Sequence, residues 1–113
     1  MTRAGLIERL VAVSCAIGKA ERLAIDAENV AGLANDRLEA AEDRLLLGGT
    51  IDGKNDAIRQ AQVRAETAAL REQLSGEERI AEQMMANLRV VRAELSVLKC
   101  LSRLMSGDDK GDE

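Results

Sequence analysis

Three cations beside a glycine-rich turn are the residues best placed, by type and spacing, to do chemistry. Lys54 follows Gly53 and precedes Asn55, and Arg59 and Arg64 come soon after, where a helix is expected to begin. A helix N-terminus offers unpaired N–H groups and the positive end of the backbone dipole. A Gly-flanked Lys there, with two arginines behind it, has the makings of a phosphate or partner contact. Ordinary capping explains the same residues: Asn is a strong N-cap, Asp56 suits the first turn, and Gly supplies backbone freedom. The phosphate-loop pattern G-x-x-x-x-G-K-[ST] after a strand is absent, so capping is the favoured reading.

Other chemistry has little to work with. The chain has no His, which excludes Ser–His and Cys–His nucleophile pairs within it. Cys15 and Cys100 lack a metal-ligand spacing, and Glu39, Glu42 and Asp43 read, with Arg44, as a solvated face. The sequence therefore assigns no catalytic, cofactor-binding or metal residue, and the protein is not expected to be an enzyme. Met84, Met85 and Met105 suit either core packing or an adaptable contact surface. Arg89, Arg92, Lys99 and Arg103 stand against the single acid Glu94. That local excess fits an acidic or nucleic-acid partner, and it fits solubilising flanks of an apolar bundle equally well.

The elements that must position these residues are helices. Of 113 residues, 46% are hydrophobic and 32% charged, with no aromatic residue and no Pro. Without aromatics to fill a compact core, area must be buried through Leu, Ile, Val, Met and many Ala, which suits long helices side by side. The first half carries an unbroken stripe at alternating spacings of three and four: Leu6, Leu10, Val13, Ile17, Ala20, Ala24, Ala27, Ala31, Ala34, Leu38, Ala41, Leu45. This predicts one helix over about 4–47 with a narrow seam. Gly48 and Gly49 end it, a turn fills 48–55, and a second helix is expected over about 56–106.

The second half opens on Ile58, Ala61, Ala65 and Ala68 and later follows Leu74, Ala81, Met84, Leu88, Val91, Leu95, Leu98 and Met105. These stripes differ in phase. Ser75-Gly76-Glu77-Glu78 has capping-box spacing, so a kink is expected near 75–76. Folding the halves about the turn sets Ala41 opposite Ala61, Ala34 opposite Ala68, Ile17 opposite Met84 and Leu6 opposite Leu95. The predicted fold is all-α: a single domain over 1–106, a long antiparallel, coiled-coil-like helical hairpin. Residues 107–113, with four acids and one Lys, read as a disordered acidic tail. The tail holds most of the formal net charge of −4, leaving a nearly neutral body that argues against a dedicated nucleic-acid binder.

At the turn the chain resembles small helical-hairpin proteins encoded by bacterial phages and prophages, some of which carry a Gly-Lys-Asn turn followed by a helix with Arg and Ala-Gln. The matching residues are Gly53-Lys54-Asn55, Arg59 and Ala61-Gln62. The resemblance implies a phage or mobile-element accessory protein and brings no active-site residues with it.

Apolar positions remain at the end away from the turn after one seam is filled: Ile7, Val11, Val90, Val97, Leu101 and Leu104. They are the expected oligomer interface, pairing two hairpins into a four-helix bundle, with a dimer favoured. No uncharged run nears the roughly 18 residues of a membrane span. The longest, Leu10 to Gly18, has the look of a signal-peptide core, with Ser14-Cys15 as a poor lipoprotein cleavage site. However, Glu8 and Arg9 crowd it, and the helical repeat runs through it. Two Cys without a disulfide framework favour a reducing compartment, so a cytoplasmic protein is expected. The functional expectation is an oligomeric helical protein that binds and modulates another protein not identified by the sequence. The alternatives are a small nucleic-acid-associated factor using Lys54, Arg59 and Arg64, and a structural spacer or assembly chaperone.

Overall fold

The computed structural model describes residues 2–49, 51 and 53–111. They form three helices: α1 (Arg3–Leu47), α2 (Asp56–Glu66) and α3 (Ala68–Gly111). The fold is an all-α helical hairpin in which the long α1 packs against α3. Every position of the α1 stripe, from Leu6 to Leu45, is buried or half-buried. The 45-residue helix ends as expected: Gly48 donates its N–H to the Arg44 carbonyl at 2.9 Å, and Gly49 takes a left-handed φ of 71°. Thr50 and Asp52 of the expected turn lie outside the described residues.

The hairpin divides into two compact units, residues 1–25 with 83–113 and residues 26–82. In the first, Leu6, Val13 and Leu98 form a buried cluster, with Leu10, Ile17, Val91, Leu95 and Met105 packed on it. Arg9 pairs with Glu94 at 2.9 Å and Arg92 with Glu21 at 3.4 Å. Such exposed pairs contribute about 0–1 kcal/mol each, so they are more useful as markers of which faces meet.

In the second unit the buried residues include Ala34, Leu38, Val63, Thr67 and Ala81. Here the structure corrects the sequence reading. Ile58, Ala61, Ala65 and Ala68 are all exposed, and the seam is formed instead by Val63, Thr67, Leu70 and Leu74. This stripe is already in phase with Ala81, Met84 and Leu88, so no phase change is needed. The helix passes through Ser75 and Gly76 uninterrupted.

The interruption falls at Thr67, where φ is −105° and ψ is 14°. Thr67 is 1% exposed, and its hydroxyl donates to the Val63 carbonyl at 2.7 Å while its own N–H reaches the same oxygen at 3.0 Å. A Thr that bonds back to the carbonyl four residues earlier pulls that oxygen from its helical geometry and bends the helix. Arg71 Nε completes the site by donating to the Thr67 hydroxyl at 3.2 Å, and Arg71 reaches Glu42 of α1, also at 3.2 Å. The buried hydroxyl is thus fully used.

The pairing register is corrected as well. Ala41 and Leu45 share a groove with Glu66 and Thr67, where Ala61 was expected opposite Ala41. Leu6 shares one with Ser102 and Met105, where Leu95 was expected. Both shifts amount to roughly one heptad. The connector also packs against α2. Gly53 donates its N–H to Gln62 Oε1 at 3.0 Å, and a Cβ on Gly53 would meet Ile58 Cγ2 at 2.8 Å and the Arg59 nitrogen at 2.9 Å. Gly53 therefore lies against the first two turns of α2, and Val63 is the first fully buried residue described after the turn. At the other end, α3 continues to Gly111, so residues 107–111 of the expected disordered tail are helical. Residues 112–113 lie outside the described residues.

Candidate functional site

The turn was the first candidate. Asn55 is the N-cap of α2 in extended backbone geometry, with its Oδ1 accepting from the Ile58 N–H at 2.9 Å. Its carbonyl accepts from the Arg59 N–H at 2.9 Å. The cap thus takes one of the first-turn N–H groups that an anion would use. Arg59 pairs with Asp56 three residues earlier. Arg64 is exposed one and a half turns further along, on a different side of the helix, and Lys54 is exposed before the cap. Arg59 and Arg64 thus stand on different sides of α2, and the hydrogen bonds that Asn55 and Asp56 make at this turn are those of a capped helix start. Asn55→Ala is expected to lower stability by about 1 kcal/mol, and Lys54→Ala to leave it unchanged. Thermal unfolding of the two variants checks this; a loss confined to Lys54→Ala would reverse the assignment.

The second candidate was the apolar surface. Ile7, Val11, Val90, Val97, Leu101 and Leu104 are all exposed, between 36% for Leu101 and 68% for Val90. The structure does not, however, bring the six together. Ile7 and Glu21 are two heptads apart on α1 and share a face, and Glu21 pairs with Arg92, so Ile7 and Val11 lie on the Arg92 side of the seam. Leu101 and Glu94 are one heptad apart on α3, and Glu94 pairs with Arg9. Leu101, with Val90, Val97 and Leu104 beside it, therefore lies on the opposite side. The expected single interface is two patches. The ion pairs make the division visible by tying one flank of α1 to one flank of α3.

The larger patch also has an unusual charge distribution. Between Gln83 and Leu104 the charged residues are Arg89, Arg92, Glu94, Lys99 and Arg103. All four cations fall at helical positions facing away from the patch. On the patch side only Glu94 is charged, and Arg9 of the same hairpin already neutralises it. The outward surface between is built from Ala86, Ala93 and Cys100. A helix face normally turned to water carries mixed charges, whereas this one is apolar and small.

Cys15 and Cys100 are both free and exposed. Among the described residues no group of three or more Cys, Asp or Glu side chains is placed to hold a metal ion, and no helix is long and apolar enough to cross a membrane. No family model, curated protein or solved structure matches the chain.

Proposed function

We propose that this protein is a non-enzymatic, oligomeric helical interaction protein of the cytoplasm, a phage or mobile-element accessory factor whose paired hairpins form a four-helix bundle that binds and modulates another protein. The observation that carries the reading is the exposure of Val90, Val97, Leu101 and Leu104 along one side of α3 with no unpaired charge among them. Contiguous apolar surface of this kind on a soluble chain marks a contact site. A two-helix hairpin with an aromatic-free core gains stability by covering it. The Gly53-Lys54-Asn55 turn supplies the phage-like element of the reading. The nucleic-acid alternative draws little support from a turn whose Arg59 is held by Asp56 and whose cap is satisfied.

Light scattering at micromolar concentration is expected to give twice the chain mass or more. Val97→Glu with Leu101→Glu is expected to halve the mass of a dimer while leaving helical circular dichroism intact, since both side chains already face outward. An unchanged mass would remove the α3 surface from the proposal, and a monomeric wild-type chain would remove the oligomer.

A further inference from the structure

We infer that the occupant of this side of α3 is a second copy of the same chain, packed antiparallel about a two-fold axis at Val97; this presupposes self-association, as proposed above, and specifies its contact. Three features of one face point to a copy and not to an unrelated partner. The first is its sequence symmetry. With the axis at Val97, Val97 meets its own counterpart, Val90 meets Leu104 of the second copy, and Ala93 meets Leu101 of the second copy. Apolar faces apolar at these three steps, with the small Ala93 leaving room for the larger Leu101, and Glu94, held by Arg9, comes opposite Cys100. A surface that is its own complement in this way is the requirement of an isologous contact.

The second feature is charge. A two-fold axis at Val97 brings the two Glu94 residues close to each other, so an unpaired charge there would repel its duplicate. The only charged group on this face, Glu94, is bound to Arg9 at 2.9 Å within the same hairpin, and Arg89, Arg92, Lys99 and Arg103 all lie off it. A separate acidic partner would instead be drawn to the cationic side of α3, and a basic partner would find no free acid here. The third feature is extent. The stripe from Val90 to Leu104 is about four turns of helix, a length over which two helices pack with interdigitated side chains.

Geometry gives the test. An axis at Val97 puts the two Val97 side chains in direct contact. It separates the two Cys100 residues by six residues of antiparallel helix, about 9 Å along the axis alone, beyond the roughly 7 Å a disulfide spans. In a background with Cys15→Ser and Cys100→Ser, Val97→Cys is expected to give a crosslinked dimer in high yield under mild oxidation, with helicity retained. Ile7→Cys, on the opposite side of the seam, is expected to stay uncrosslinked. Mixing Val90→Cys and Leu104→Cys chains is expected to give a crosslinked heterodimer, whereas each alone crosslinks poorly. A chain that scatters as a dimer yet crosslinks through Ile7→Cys, or through none of these positions, overturns this contact while leaving the oligomeric reading standing. A chain that is monomeric by light scattering and uncrosslinked at every position overturns both.

Discussion

Leu98→Ala is expected to lower the unfolding free energy by about 2–5 kcal/mol, which is a large share of what a chain of this size has to lose. Leu98 is 3% exposed and joins Leu6 and Val13 at the centre of the first unit's core. The loss is the transfer energy of the removed methyls plus the cavity left behind. In a core without aromatic rings, the surrounding Leu10, Val91, Leu95 and Met105 are held at fixed heptad positions on long helices. They cannot collapse inward without moving a whole helix. Lys99→Ala, one residue on and facing outward, is expected to change stability by no more than about 0.5 kcal/mol. Urea unfolding followed by circular dichroism measures both at one protein concentration, because self-association adds to apparent stability. Equal midpoints for the two variants would mean that Leu98 is not where the hairpin is held.

Much of this architecture is legible in the residues, and the parts that are not have specific causes. The α1 seam can be read without ambiguity because Leu, Val and Ile mark its ends and each Ala between them falls at the right spacing. The α2 stretch offers two candidate stripes. Ile58, Ala61, Ala65 and Ala68 look the better one because every member is apolar. Val63, Thr67, Leu70 and Leu74 include a polar residue, and a hydroxyl in a seam reads as a fault until its bond to the Val63 carbonyl is seen. Alanine is the root of the ambiguity, since it is equally at home in a tight seam and on a helix exterior. The register slip of roughly one heptad has a different origin. It goes with a connector that lies against the start of α2, where Gly53 donates to Gln62. Spacing rules carry no information about such a contact. The six apolar interface candidates were legible as exposed positions. Their division into two sides follows from heptad position in an antiparallel pair, and the ion pairs mark it.

The corrected seam makes a second large effect predictable. Val63→Asp is expected to destabilise the protein by roughly 3 kcal/mol or more, because a carboxylate would enter a site where the native side chain is 6% exposed. The nearby network offers it no relief. The Val63 carbonyl is already an acceptor for both the Thr67 N–H and hydroxyl, and Arg71 is engaged by Thr67 and Glu42. The change also strikes the only fully buried residue of α2, so the cost should include loss of the α2 packing as well as desolvation. Ala65→Asp, two residues away and exposed, is expected to cost no more than about 0.5 kcal/mol beyond the small loss of helix propensity. The register read from the apolar alanines alone predicts the reverse order, with Ala65 on the seam and Val63 off it. Chemical denaturation of the two single variants therefore decides between the registers. A larger loss at Ala65 than at Val63 would restore the alanine stripe and, with it, the pairing of Ala41 with Ala61.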